Sequence, residues 1–269
     1  MIRRAVLVVL GLIWLGPTYL LLVNASRPLE TYDPSRAWVP SFDFSLLENF
    51  GQAVANAELG ASLASTALYA VVSPLLGVLV GAMAGYTIVV LRLRHGFVWF
   101  MLLFGGTIFP SQMLLVPLFM GYSEAGLYDD RLGMLLLYTA INVPLAAFVL
   151  RNFYTGVAFS IFEAARMDGA STFRIFWRIY LPLSLSALAA VYILEFTFIW
   201  NDLIFGLVLT QTESVRPVMV ALSGLMTDVY AGTPVPVGLA AGLVVSLPTV
   251  VLFLATQRLF ARGMSLGSV

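Results

Sequence analysis

Two carboxylates stand inside a long apolar stretch of the chain. Glu195 and Asp202 fall within residues 183–209, and Trp200 and Asn201 lie beside Asp202. On a helix, their separation places both acids on one face, about 10 Å apart along the axis. Ionisable groups are costly in an apolar span, so these residues are candidates for a functional site. They suit the hydroxyl groups and ring faces of a sugar-like solute. They also suit contacts with neighbouring helices, and we favour that second interpretation.

The residue types that are missing exclude most catalytic chemistry. The chain of 269 residues contains no Cys and no Lys, and His95 is its only histidine. A P-loop, a lysine Schiff base, a thiol nucleophile and an HExxH zinc motif are therefore excluded. An intramembrane enzyme that used Glu195 and Asp202 as an acid pair would have no evident nucleophile beside them. We expect no catalytic residue, no metal site and no cofactor on this chain.

A second polar group lies earlier, in the stretch EAARMDGASTFRIFWRIYLP at residues 163–182. Ser160 and Glu163 have the spacing of a capping box, which predicts the start of a short helix. Gly169 suits the C-terminal turn of that helix, and Ser171 can cap a second helix. Four aromatic residues of the second helix fall on one face: Phe173, Phe176, Trp177 and Tyr180. The pattern predicts a helix-turn-helix at the membrane surface, with this stripe in the interface.

The first helix of this loop has the composition of a docking surface. Ala164 and Ala165 offer a flat patch, and Glu163, Arg166 and Asp168 surround it with charge. A small knob with a charged rim fits a cleft on a soluble partner. An ordinary solvated loop would have the same composition, so the residues by themselves leave both readings open.

The elements around these residues are those of an integral membrane protein. Hydrophobic residues make up 60% of the chain and charged residues only 10%, with a mean hydropathy of +0.95. A soluble domain carries about 25% charged residues. Six stretches have the length of a membrane-spanning helix: 5–23, 59–91, 97–119, 132–150, 183–209 and 237–256. The first resembles a signal peptide, but its apolar run is longer than usual, so we expect it to be retained. We predict an all-α membrane protein with six transmembrane helices in a single domain, residues 1–269.

The arginines set the predicted orientation. If the N-terminus is cytoplasmic, ten of the 14 arginines lie on the inner side and four on the outer side. This excess agrees with the rule that positive charge stays inside. The loop at residues 160–182, between the fourth and fifth helices, is then cytoplasmic, and so are both termini.

Small and polar residues within the spans predict how the helices pack. Gly77, Gly81 and Gly85 recur every four residues on the second stretch, which lets a neighbouring helix backbone approach closely. Asn142 stands two residues before Pro144 in the fourth stretch. We expect its amide to satisfy carbonyl groups that a proline kink leaves free.

The spacing in the loop resembles that of a known family. Residues 163–182 read E-A-A, three residues, G, nine residues, I-x-L-P. This resembles the signature loop of inner-membrane permeases of binding-protein-dependent ABC importers. The matching positions are Glu163, Ala164, Ala165, Gly169, Ile179, Leu181 and Pro182. QMLLVPLF at 112–119, FIWNDLIFGLVLT at 198–210 and the tail QRLFARGMSLGSV look like the carbohydrate branch, most of all the second permease of maltose-type systems. The family tail commonly runs further, and Glu195 stands where these permeases usually carry an apolar residue.

The resemblance implies a function and a set of partners. It implies one half of a permease heterodimer in a bacterial or archaeal inner membrane. Two copies of a cytoplasmic ATPase would hold ATP–Mg, and an external solute-binding protein would deliver a sugar. The residues that would contact the ATPase are Glu163, Ala164, Ala165, Arg166, Asp168 and Gly169. Glu195, Trp200, Asn201 and Asp202 would lie in the translocation path or, as we favour, at an interface; for Asn201 and Asp202 the family match favours a structural or gating role.

Two alternative functions are also compatible with an integral membrane protein of this architecture. A permease for a polyol or a glycerol phosphodiester has the same architecture, although a phosphate-bearing cargo favours arginines facing the cavity. The interiors of the six predicted spans contain no arginine. A membrane scaffold without transport is a further alternative.

Overall fold

Helices form the regular secondary structure of the part of the chain that the computed structural model describes, residues 2–41, 43–57, 59–108, 110–231 and 234–265. The α-helices in these ranges are α1 (Ile2–Ala25), α2 (Leu46–Ala57), α3 (Leu59–Val89), α4 (Gly96–Gly105), α5 (Leu115–Ala125), α6 (Arg131–Thr155), α7 (Phe159–Met167), α8 (Thr172–Ile175), α9 (Leu181–Leu183), α10 (Leu185–Trp200), α11 (Ile204–Leu209), α12 (Val218–Ala231) and α13 (Val235–Ser265). Turns of 3-10 helix lie at Leu29–Thr31, Pro34–Arg36 and Ser111–Leu114, and a π-helical turn at Phe176–Tyr180 continues α8. The predicted all-α class is confirmed.

Four helices are long and apolar enough to cross a membrane: Arg4–Ala25, Leu59–Val89, Arg131–Thr155 and Val235–Gln257. A fifth candidate results if Thr172–Leu183 and Leu185–Trp200 are counted together, although these pieces meet at a bend of 75°. By length and composition, the described residues thus hold four or five apolar spans. The count of six stays a prediction.

Two of the predicted spans are not continuous helices. Residues 97–119 divide between α4 and α5, because Pro110 has no N–H group to donate and so interrupts the helical hydrogen-bond pattern. Residues 183–209 divide between α10 and α11. There the carboxylate of Asp202, one residue before the N-cap Leu203, accepts a hydrogen bond from the backbone N–H of Gly206 in the first turn of α11 at 3.1 Å.

Helices α3 and α6 pack with their backbones almost in contact. A Cβ atom built on Gly81 would lie 2.7 Å from the backbone nitrogen of Ala147. One built on Gly85 would lie 2.8 Å from the backbone nitrogen of Arg151, and Gly77 is equally close to α6. Any larger side chain at these positions would force the two helices apart. The predicted glycine ridge is therefore confirmed, and it fixes the spacing of the two central helices.

The α5–α6 connection is tied to the α11–α12 connection through Asp129. Its carboxylate accepts hydrogen bonds from the backbone N–H groups of Gln211 at 2.7 Å and Thr212 at 2.9 Å, and from the Thr212 hydroxyl. Burial raises the pKa of Asp129, but these hydrogen bonds outweigh burial and leave the pKa below its usual value. Arg131 adds a hydrogen bond to the carbonyl oxygen of Ser214 at 2.8 Å. Together these contacts hold the start of α6 against the loop that precedes α12.

Buried side chains gather at several levels of the helical bundle. One cluster, which includes Tyr86 and Tyr154, lies where α3 and α6 meet the α7–α10 segment. A second, with Tyr138 and Trp200, joins α3, α6 and α10 further along the bundle. A third surrounds Val218 between α2, α12 and α13. The first cluster supports the loop at residues 160–182, and the second borders the polar residues of α10.

Candidate functional site

The loop between α6 and α10 begins with α7, which starts earlier than the sequence predicted. Ala158 occupies the N-cap position, and Ser160 lies inside the helix without a capping hydrogen bond among the described residues. The predicted capping box between Ser160 and Glu163 is therefore wrong. The helix begins at Phe159, whose ring packs against the Arg92 guanidinium carbon at 4.0 Å.

The end of α7 is a tight turn that requires glycine. Gly169 adopts a φ of 78°, in the left-handed region that disfavours other residues. Its N–H donates to the carbonyl oxygen of Arg166 at 3.0 Å, and the N–H of Ala170 donates to that of Ala165, also at 3.0 Å. This pair of hydrogen bonds is the Schellman motif. The predicted role of Gly169 in ending the helix is confirmed.

One face of α7 is open and the other packs on the protein. Ala165 is only 9% exposed, and Phe162 packs beside it against the cluster around Tyr86 and Tyr154. Ala165 therefore does not share an open surface with Ala164, as the sequence predicted, because the helix turns it inward. The open face consists of Glu163, Ala164, Arg166, Met167 and Asp168. Met167, at 88% exposure, is the most exposed large apolar residue recorded for α7.

The second helix of the loop is anchored by only half of its predicted stripe. Ser171 caps it as predicted, since its hydroxyl accepts from the Arg174 N–H at 3.3 Å. Phe176 and Tyr180 are buried, but two further aromatic residues are not: Phe173 is 65% exposed and Trp177 39% exposed.

The split of this stripe follows from packing on α3. The ring centre of Tyr86 lies 5.2 Å from that of Phe176 and 5.1 Å from that of Tyr180. The Tyr86 hydroxyl also donates to the carbonyl oxygen of Thr172 at 3.0 Å. The prediction that all four rings lie in the membrane interface is thus corrected. Phe176 and Tyr180 instead fasten the loop to the α3–α6 pair.

The polar residues of α10 border a cleft between α6 and α10. Its volume is about 320 Å³, and its lining includes Glu195, Asn142, Tyr138, Asp202 and Phe198. Glu195 is 1% exposed, and neither of its carboxylate oxygens has a hydrogen-bond partner among the described residues. Asn142 is 6% exposed, and its Nδ2 likewise has no hydrogen-bond partner among the described residues. An unmatched acceptor and an unmatched donor therefore face the same space.

Asp202 borders the same cleft but is fully engaged. Its Oδ2 accepts from the Tyr138 hydroxyl at 2.9 Å and from the Gly206 N–H at 3.1 Å, and its Oδ1 accepts from the Phe205 N–H at 3.5 Å. Glu195 and Asp202 both border this cleft, but the prediction that they share one face of a helix is wrong. They are not on one helix, because α10 ends at Trp200 and Asp202 lies in the turn that follows.

The other two polar candidates of this region do not line the cleft. The Trp200 indole N–H donates to the carbonyl oxygen of Val245 at 2.9 Å, and its ring is 4% exposed. Trp200 therefore holds α10 against α13. Asn201 is exposed, and its Nδ2 donates to the carbonyl oxygen of Thr197 at 2.8 Å.

Asn142 does not have the role that the sequence predicted. We expected its amide to satisfy carbonyl groups near Pro144, yet Nδ2 makes no hydrogen bond among the described residues. The signal was present, since Asn142 is an amide in the middle of an apolar span. Only the packing of α6 against α10 reveals that it faces Glu195 across one cleft.

A family model matches most of the chain. Residues 77–266 match the family described as binding-protein-dependent transport system inner membrane component. The chain belongs to this family. Its members are permeases, so both sites described above lie in a membrane permease. The open face of α7 belongs to the loop that carries the family resemblance, and the cleft lies between two of the permease's apolar helices.

Individual relatives agree with the family. The permease is 32% identical over 254 residues to the melibiose/raffinose/stachyose import permease protein MelC of Bacillus subtilis, covering 94% of this chain and 90% of that protein. It is 30% identical over 271 residues to the osmoprotective compounds uptake permease protein GgtD of Synechocystis, covering 97% and 89%. A probable ABC transporter permease of Pyrococcus horikoshii is 35% identical over 164 residues, but that match spans 61% of this chain and 59% of the relative.

A solved structure supports the fold. A chain of a bacterial ABC transporter that imports the acidic polysaccharide alginate superimposes with a TM-score of 0.73. The superposition covers 96% of this permease and 94% of that chain, at 22% sequence identity. The helical arrangement is therefore that of an ABC permease subunit.

Proposed function

We infer that the chain is the transmembrane permease subunit of an ATP-driven sugar importer and forms half of its translocation path. Membership of the inner-membrane permease family carries this conclusion. Relatives whose names record import of melibiose, raffinose and stachyose, transport of α-glucosides and transport of trehalose support a sugar as the cargo. The permease itself is not an enzyme, and ATP hydrolysis belongs to a separate subunit.

The open face of α7 is the proposed contact with the ATPase. Glu163, Ala164, Arg166 and Asp168 lie on it, and the turn at Gly169 fixes where the helix ends. Glu163 and Asp168 form no ion pair among the described residues, so both carboxylates are available to basic residues of a partner. Ala165 contributes from the inner side, where its small size lets α7 lie close to the α3–α6 pair.

The proposed assembly has four membrane-associated chains and one external protein. This permease pairs with a homologous second permease, and two cytoplasmic ATPase subunits hold ATP–Mg. A solute-binding protein delivers the sugar from outside. Residues 1–269 form one permease domain with six spans, both termini are cytoplasmic, and the loop at 160–182 faces the ATPase.

Movement of the ATPase reaches the membrane through the first buried cluster. Tyr86 on α3 packs against Phe176 and Tyr180, and its hydroxyl donates to the Thr172 carbonyl oxygen, so a displacement of the loop would be passed to α3. Closure of the ATPase dimer on ATP would shift α7 and tilt these helices toward an outward-open state. Nucleotide can drive this change only because it favours one of the two states.

Co-purification tests this proposal. The affinity-tagged permease is solubilised from membranes of its native cell, and the proteins that remain bound are identified by mass spectrometry. We expect a second permease and an ATPase with a P-loop lysine. Recovery of the permease alone, from membranes in which those partners are abundant, would contradict the proposed assembly.

A further inference from the structure

We propose that Glu195 and Asn142 together bind a hydroxyl group of the transported sugar in the cleft between α6 and α10. This inference rests on the proposed sugar-import function. It adds a cargo contact on this chain and names the two side chains that make it. Asp202, which is engaged by Tyr138 and by α11, frames the cleft and does not bind the cargo.

Two buried polar groups of the cleft have no hydrogen-bond partner among the described residues. Glu195 offers carboxylate oxygens that accept hydrogen bonds, and Asn142 offers an amide N–H that donates one. Both are more than nine-tenths buried and line the same cleft, yet no hydrogen bond joins them. Buried polar groups in native proteins normally form hydrogen bonds. We therefore expect each of these two groups to have a hydrogen-bond partner in the assembled transporter.

A ligand that bonds to both groups must offer a donor to Glu195 and an acceptor to Asn142. A hydroxyl group both donates and accepts, and one hydroxyl can therefore donate to Glu195 and accept from Asn142. A cation would satisfy Glu195 but leave the Asn142 donor unpaired. An anion would satisfy Asn142 but would be repelled by the carboxylate. A neutral, hydroxyl-bearing ligand is the class that fits both.

The depth of the two groups argues against an ordinary lipid-facing or surface position. Asn142 lies about 16 Å along α6 from its first residue, and Glu195 lies about 15 Å along α10 from its first residue. Asn142 is thus near the middle of α6, and Glu195 lies about two thirds of the way along α10, five residues before its end at Trp200. A carboxylate there is costly unless it faces water or a polar partner. A cleft that opens toward a hydrated path or another protein chain lowers this cost, whereas one that opens toward hydrocarbon does not.

The remaining lining favours a ligand over a packed side chain. Three aromatic residues border the cleft, Tyr138, Phe198 and Phe205, and Phe198 is 70% exposed. Aromatic rings with a few convergent polar groups are typical of small-molecule sites, and such sites start at about 300 Å³. The cleft volume of about 320 Å³ lies at the lower end of that range, which suits one sugar unit of a larger cargo.

The test uses the complete transporter, with its binding protein and ATPase, in proteoliposomes. Melibiose, raffinose and trehalose serve as labelled probes, and the measured quantity is sugar imported per ATP hydrolysed with saturating sugar-loaded binding protein. Glu195→Leu removes the acceptor and Asn142→Leu removes the donor. Glu195→Gln keeps an acceptor in place. Thr197→Val, on α10 but outside the cleft, is the matched control.

We expect Glu195→Leu to lower the ratio about tenfold or more, since hydrogen bonds to a charged group are the stronger ones, and Asn142→Leu to lower it about threefold. Because both groups bind one hydroxyl, the double variant should lose no more than Glu195→Leu alone. Glu195→Gln should retain part of the activity, and Thr197→Val should match the wild type. ATPase stimulation by the binding protein should persist in all variants.

Three results would overturn the proposal, and each has a distinct meaning. If Glu195→Leu no longer co-purifies with the second permease, a side chain of that subunit is the partner. If Glu195→Leu and Asn142→Leu assemble and import sugar at the wild-type ratio, the cleft holds only water. If the wild-type transporter imports none of the three sugars although its binding protein binds at least one of them, the proposed function itself fails.

Discussion

The backbone contact between α3 and α6 gives the sharpest prediction of stability. Gly81→Ala adds one methyl group at a point where its carbon would lie 2.7 Å from the backbone nitrogen of Ala147. Ordinary contacts begin near 3.4 Å, so the helices must separate by several tenths of an ångström along most of their shared length. Overpacking of this kind typically costs about 1–3 kcal/mol. Thermal unfolding of the purified permease should then shift down by about 4–8 °C for a cost of about 2 kcal/mol.

Gly60→Ala is the matched control for this prediction. It makes the same chemical change on the same helix, but a Cβ atom at Gly60 meets nothing within 4 Å among the described residues. An alanine in an exposed helical position is favoured over glycine by up to about 1 kcal/mol. The unfolding temperature of Gly60→Ala should therefore stay constant or rise. Equal losses in the Gly60→Ala and Gly81→Ala variants would refute the close packing of α3 on α6.

Three further predictions concern coupling, pH and topology. Glu163→Ala should leave membrane insertion intact but reduce transport per ATP hydrolysed, and Gly169→Pro should do the same because proline cannot adopt the φ of 78° at that turn; wild-type transport in both variants would remove the coupling role. The pKa of Asp129 is lowered in the folded protein, so its carboxylate stabilises the fold at pH values above the ordinary aspartate pKa. This stabilisation is lost as pH falls through the lower folded-state pKa. The unfolding temperature should therefore fall below about pH 4, and Asp129→Asn should reduce that fall. Reporter fusions after Arg178 should report the cytoplasm and fusions after Glu213 the outer side, and an outer signal at Arg178 would overturn the orientation.

Local signals in the sequence predicted the features that depend on short-range geometry. The glycine repeat predicted a close helix contact because glycine has no side chain to keep a neighbouring helix away, whichever helix that is. Gly169 predicted a helix end because few other residues adopt its backbone conformation. Ser171 predicted a cap for a similar local reason. Each of these devices works within a few residues, so a single sequence contains the information.

Features set by tertiary packing were beyond such signals. Ser160 and Glu163 have the spacing of a capping box, but α7 begins earlier, at Phe159, whose ring packs against the distant Arg92. Periodicity grouped Phe173 with Phe176, yet contact with Tyr86 buries only the latter. In the same way, Asn142 and Glu195 are 53 positions apart in the sequence, and only the packing of α6 on α10 brings them to one cleft.

ATP-dependent sugar uptake is the most direct measurement of the central claim. The permease is reconstituted into proteoliposomes with the second permease and the ATPase that co-purify with it, and uptake of labelled melibiose, raffinose and trehalose is followed with the binding protein present. We predict uptake of at least one sugar that requires both ATP and the binding protein, and that stops when the ATPase is omitted. Uptake that proceeds equally without ATP, or ATP hydrolysis stimulated by the binding protein with no sugar imported, would contradict the account.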